Sequence, residues 1–144
     1  MISQEEYDRL IQIKKVFVEQ EELNLAYSWS RKLISKTTKD EFILDYNRGG
    51  RIDIIKFSYN KRYKTNIILL RYDIGRHTNP DGNVIKGPHV HLYKEGFNDR
   101  WAFPVREIGI SPNEQEKREV VLKRIFSYCN IVNYPAIQPI LLQW

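Results

Sequence analysis

TNIILLRYD, residues 65–73, is the stretch that decides the fold. Ile67, Ile68, Leu69 and Leu70 are consecutive, and an unbroken apolar run of this length predicts a central strand covered on both faces. Arg71 and Asp73 close it, and two residues apart on a strand they share a face. Upstream, Phe42, Leu44 and Tyr46 alternate with Ile43 and Asp45, the pattern of a half-buried strand. Asn47-Arg48-Gly49-Gly50 signals a hairpin turn into a strand from Ile52 to Tyr59, and Asn60-Lys61-Arg62 a second turn. Downstream lie a loop over 74–88, a short strand over 89–94 and a turn over 95–99. Trp101–Val105 adds a last short strand, limited by Pro104.

Helical patterns flank this meander. Ser3 and Glu6 have capping-box spacing, and Tyr7, Leu10, Ile13 and Phe17 predict one apolar face of a helix over 3–20. Ser111-Pro112-Asn113-Glu114 predicts the start of a second helix, with Val121, Leu122, Ile125, Phe126 and Cys129 on its packed face. The apolar tail 131–144 is expected to pack on the body or on a partner. The expectation is one α+β domain over 1–144: a central antiparallel sheet of about five or six strands between an N-terminal and a C-terminal helix.

The bulk numbers agree with a globular chain. Of 144 residues, 42% are hydrophobic and 28% charged. A chain of this size buries enough surface to fold without a metal or disulfide staple, and the single Cys129 excludes an internal disulfide. The start MISQEEYDRL lacks the pattern of a signal peptide, and no apolar run reaches membrane-spanning length. A cytoplasmic location with no membrane partner is expected. Net charge is +5 with a pI near 9.3, and residues 31–86 hold 13 Lys/Arg against 6 Asp/Glu. A basic centre with acidic flanks suggests an anionic partner, most simply nucleic acid.

All three histidines fall in HTNPDGNVIKGPHVHLYKEG, residues 77–96. His89, His91 and Tyr93 are expected to point together, opposite Val90 and Leu92. If loop 74–88 closes an antiparallel hairpin, this set meets Arg71 and Asp73, with His77, Arg76 and Asn79 hanging over the same spot. Three chemistries fit. In metal-independent RNA cleavage, His89 and His91 share the proton work, Arg71 or Arg76 steadies the phosphorane, and Asp73 and His77 complete the catalytic group. Arg76, Asn79, Tyr93, Lys86, Arg48 and Arg51 then hold substrate. As a metal site, H-x-H with Asp73 or His77 suits zinc or another divalent ion. As a binding module, basic strands with Tyr59, Tyr63, Tyr72, Tyr93 and Trp101 hold phosphate and stack bases. The structural alternative is a finished sheet with a turn and a strand-end ion pair. Of these, the reading adopted takes no metal and no cofactor. Cys129 lies on an apolar face, and neither a nucleophile elbow nor a phosphate-cradling glycine loop is present.

FILDYNRGGRI (42–52), LLRYDIGRHTNPDG (69–82) and GPHVHLYKEGFNDRWAFP (87–104) together resemble an uncharacterised family of small proteins carried mostly by bacterial prophages and mobile elements. More faintly, Arg71-Tyr72-Asp73, His77 and Pro88-His89-Val90-His91 resemble the TumE-type toxins of toxin–antitoxin systems. That resemblance implies action on RNA or the translation machinery and a cognate antitoxin. The insert 77–87 and the second helix and tail depart from it. The expected function is engagement of nucleic acid, RNA before DNA, as a toxin-like ribonuclease. The alternative is a non-catalytic module that binds nucleic acid or a host protein. A homodimer is open.

Overall fold

The computed structural model describes residues 1–49, 52–61, 65–111, 113 and 117–139. In chain order come α1 (Gln4–Gln12), β1 (Val16–Phe17), β2 (Leu23–Asn24), β3 (Trp29–Ile34), β4 (Glu41–Gly49), β5 (Ile52–Lys61) and β6 (Thr65–Asp73). Then follow β7 (His77–Thr78), β8 (Val84–Ile85), β9 (His89–Leu92), β10 (Ala102–Pro104), a 3-10 turn (Val105–Ile108), α2 (Arg118–Tyr128) and β11 (Ile137–Gln138). The fold is α+β. One antiparallel sheet of seven strands runs in the order β1-β3-β4-β5-β6-β9-β10. It is wider than the five or six expected, because it adds two-residue β1, too short to carry a periodic signal, and β3, whose sequence WSRKLI buries only Leu33 fully.

The alternation along β4 holds: Phe42, Leu44 and Tyr46 are buried, while Ile43 and Asp45 are half-buried on the other face. The buried row continues through Ile55, Phe57, Leu70, Tyr72 and Val90. These residues share one core with Leu10 and Ile11 of α1 and Val121, Leu122, Ile125 and Phe126 of α2. Phe17 meets Phe126 edge-on at 5.7 Å, tying β1 to α2. Lys15, with no exposed surface, donates from Nζ to the carbonyls of Ile11 (2.9 Å), Ile13 (2.8 Å) and Cys129 (2.5 Å). One ammonium thus serves orphan carbonyls at the C-terminal ends of both helices, where helix dipoles favour a cation. Burial pushes its pKa down to about 8.

β6 carries the irregularity that matters. Phe57 pairs with Leu70, but Ser58 pairs with Ile68, so Leu69 is an extra residue in the ladder. Leu69 and Leu70 are both fully buried. The extra residue shifts the alternation by one. With unbroken alternation Arg71 and Asp73 would share a face with Ile67 and Leu69. With the bulge they stand on the other face, in register with Lys56 of β5 and with His91 and His89 of β9.

Several boundaries differ from expectation. The first helix ends at Gln12, not near residue 20: Ile13 is already extended, and Phe17 lies in β1. β-branched Ile13, Val16 and Val18 favour strand here, and burying Lys15 requires the chain to turn inward. Ser3 Oγ does accept from the Glu6 N–H at 3.0 Å. The second helix begins at Arg118 with Lys117 as cap, not at Ser111, which is half-buried and non-helical. Pro112 and Glu114 of that expected start lie outside the described residues. Loop 74–88 contains a small hairpin, β7 with β8. In the tail, Ile137–Gln138 pairs in parallel with β2, so this part packs on the body; 140–144 lie outside the described residues. Pro104 sits on edge strand β10, where a missing N–H is tolerated. Among the described residues, no helix is long and apolar enough to cross a membrane.

Candidate functional site

β6 and β9 place Arg71 opposite His91 and Asp73 opposite His89. Paired residues share a face, so the four side chains converge as their spacing predicts. His77, from β7, folds back over them: its ring centroid is 4.5 Å from that of His91 and 5.7 Å from that of His89.

Backbone carbonyls fix the tautomers. His89 Nδ1 donates to the Gly87 carbonyl at 2.9 Å, His91 Nδ1 to that of Asp99 at 2.8 Å, and His77 Nε2 to that of Arg100 at 2.8 Å. A neutral imidazole has one donor and one acceptor nitrogen, so each ring turns a lone pair inward. The Nε2 atoms of His89 and His91 are 3.0 Å apart. Two lone pairs that close repel unless a cation lies between them, and one shared proton satisfies both. Arg71 Nη2 donates toward His91 Nε2 at 3.3 Å, and its Nη1 pairs with the Asp99 carboxylate at 3.3 Å. Burial, then the charges of Arg71 and His89, push the His91 pKa down to about 4, against the opposing hydrogen bond to Asp99. His91 is therefore neutral at pH 7.

Asp73, His89 and His91 bring one ligand atom each within 4.8 Å of one another. Two imidazoles and a carboxylate suit zinc or a similar ion, and carbonyl-anchored imidazoles are the usual outer shell of such sites. Arg71 works against that occupant, because its guanidinium stands 3.3 Å from the Nε2 a metal would need and repels a second cation there.

The other expected site residues divide. Asn79 is 8% exposed and structural: its Nδ2 donates to the Ala102 carbonyl at 3.0 Å, and its Oδ1 accepts from the Ala102 N–H at 2.8 Å. Tyr93 does not join the histidines. β9 ends at Leu92, so the period of two lapses; the Tyr93 hydroxyl binds the backbone of Ile2, and its ring stacks on Tyr7. Arg76 and Lys86 are exposed on the loop over the site. Arg48 is exposed on β4, three strand spacings from β9, which is about 14 Å. Arg51 and Tyr63 lie outside the described residues. Tyr72 is buried, the Tyr59 hydroxyl is bound to Asp40, and half-buried Trp101 stands beside Lys94 (4.5 Å, ammonium to ring).

Sequence reasoning missed Asp99, which holds both Arg71 and His91. A turn aspartate gives no signal of this, and the Gly87 and Arg100 carbonyls give none either. It also missed Asp45 and Lys56, which lie on the same transverse row as Arg71 and His91. Extending the period of two across the sheet finds them only once the bulge is known.

Residues 2–131 match DUF6978, a family of unknown function, and the chain belongs to that family. No curated protein and no solved structure matches the chain.

Proposed function

We propose that this protein engages RNA and cleaves it without a metal, at the cluster of Arg71, His77, His89 and His91. The observation that carries the reading is the pair of inward Nε2 atoms 3.0 Å apart beside a guanidinium. It joins an acid, a base and a cation in one place, as attack of a ribose 2′-hydroxyl on its own phosphate requires. The 2′-oxygen–phosphorus bond forms and the 5′-oxygen–phosphorus bond breaks. One proton leaves the 2′-hydroxyl, and one reaches the 5′-oxygen. Neutral His91 suits the base, and His89 beside it is placed to serve as the acid. Arg71 supports the developing charge, and its half-buried side chain, like that of His77, is open to a phosphate.

One observation favours a second reading. His89 and His91 are each 1% exposed, so RNA reaches them only if the β7–β8 hairpin lifts. A non-catalytic RNA-binding module, with the histidines as a closed polar network, needs no such movement.

Cleavage of labelled RNA in the presence of a chelator separates the two. The enzyme reading expects cleavage that falls by about 10²–10⁴ in His91→Ala or His89→Ala. It also expects retained binding of an uncleavable 2′-O-methyl RNA, since imidazoles supply little of the phosphate attraction. A parent protein that binds RNA without cutting it supports the second reading.

A further inference from the structure

The open face of the sheet carries a groove of about 570 Å³ beside the histidine cluster. That volume is in the range of small-ligand sites. Its walls include Trp29, Asp45, Ile54, Lys56, Ile68 and Arg71. Asp45, Lys56, Arg71 and His91 stand on four neighbouring strands in direct register, one row across the sheet. Arg71 belongs to both places: it lines the groove and touches His91.

The charges along this row are only partly settled within the protein, since Arg71 pairs with Asp99 at 3.3 Å while Lys56 faces it. Lys56 and Arg71 are like charges directly opposite one another, an unfavourable pair in a sheet. Asp45 is directly opposite Lys56 on the other side, yet no ion pair joins them. Arg71 also keeps a buried Nε–H with no acceptor among the described residues. Lys56 and the partly exposed guanidinium of Arg71, which keeps N–H groups beyond those on Asp99 and His91, match a phosphate oxygen. Half-buried Ile54 and Ile68, on the same face as Lys56 and Arg71, give an apolar floor.

We infer that this groove seats one nucleotide of the RNA, with its phosphate between Lys56 and Arg71 and its base in the part lined by Ile54 and Asp45. The Asp45 carboxylate selects guanine, whose adjacent ring N–H and amino group present two donors to two carboxylate oxygens. The inference rests on the RNA-directed reading of the histidine cluster and adds which base lies beside the cut.

The test titrates the four nucleoside monophosphates into the full chain by calorimetry and amide NMR. GMP is expected to bind at least tenfold tighter than UMP, with shifts at Asp45, Lys56 and Arg71. Asp45→Asn removes the preference. Lys56→Gln weakens all four nucleotides about equally, by threefold or more. Thermal unfolding verifies the fold, and Lys56→Met serves if Lys56→Gln is unstable. Equal binding of all four nucleotides, or shifts away from the groove, overturns the inference. RNA cleavage that proceeds unchanged in both variants leaves the nuclease reading standing and removes the groove. Guanine-selective binding in the groove by a protein that never cuts RNA does the reverse.

Discussion

Arg71 and His91 face each other across β6 and β9, with guanidinium Nη2 3.3 Å from imidazole Nε2. This contact keeps His91 an acceptor: the guanidinium donates to the one lone pair the ring has left after Nδ1 binds the Asp99 carbonyl. Replacing Arg71 with Met removes a positive charge that lowers the His91 pKa. The pKa of His91 in Arg71→Met is therefore expected to rise from about 4 toward the ordinary value of 6.5, while burial keeps it below that value. NMR titration of the imidazole nitrogens measures it. An unchanged or lower value shows that the guanidinium does not act on this ring.

The same ring makes stability depend on acid. The folded pKa of His91 is depressed to about 4, from 6.5 for a free imidazole. Between these values the unfolded chain binds the proton and the folded chain does not, so stability rises with pH through this window. It is fully present above 6.5 and declines as pH falls toward 4. Urea unfolding at pH 7.5, 6 and 5 should show the decline, with a smaller slope in His91→Gln. Asp40, whose pKa is lowered from 3.8, acts at lower pH and does not mimic this. Equal slopes in the parent and His91→Gln would place the acid-sensitive group elsewhere.

How much of this was legible in the sequence follows from where each signal lives. The strand pattern of Phe42-Ile43-Leu44-Asp45-Tyr46 and the pairing of Arg71 and Asp73 with His89 and His91 rest on side-chain periodicity, which a sequence carries. Helix ends do not: the chain leaves α1 at Ile13 because Lys15 finds three carbonyls, one of them 114 residues away at Cys129. Nor does the bulge. Four consecutive apolar residues fit either register, and only the ladder with Ser58 shows that Leu69 is the extra one. Tautomers are equally silent, since they depend on the carbonyls of Gly87, Asp99 and Arg100, whose own side chains do not enter.

Lys15 tests the junction of the two helices. Lys15→Met removes the ammonium that stands over the Phe42 and Phe57 rings and leaves the carbonyls of Ile11, Ile13 and Cys129 without their donor. Each buried acceptor left unpaired costs roughly 1–3 kcal/mol, partly recovered by water or by relaxation. A loss of about 3 kcal/mol is expected from denaturant unfolding. A variant as stable as the parent would mean that hydrophobic replacement offsets the whole polar loss, as it does for some buried ion pairs.

The guanidinium also decides the response to metal. Zinc added to the parent is expected to leave the melting temperature and the histidine resonances unchanged, and a chelator to change neither. In Arg71→Met the lone pair of His91 is released beside those of His89 and Asp73, so zinc affinity should increase tenfold or more by calorimetry. Stoichiometric zinc in untagged parent protein would overturn the preference for a shared proton.

Asn79 clamps the hairpin that carries His77 to the edge of the sheet. Its amide bridges both backbone groups of Ala102, one donor to one acceptor and one acceptor to one donor, and so pins the tip of the β7–β8 hairpin against edge strand β10. Ala102 itself pairs with His91, so the clamp lies one strand from the histidines. Asn79→Ala removes both bonds and is expected to cost about 2–3 kcal/mol of local stability, since the Ala102 N–H and carbonyl are buried. Hydrogen exchange should quicken over 77–85 and at Ala102, with little change in the core strands β4 and β5. If the hairpin must lift for RNA to meet His89 and His91, this variant binds RNA faster and cleaves it at least as fast as the parent. Asn79→Asp retains the acceptor, loses the donor, and should fall between the two. Faster exchange over the hairpin with no change in RNA association would show that RNA does not enter through this opening.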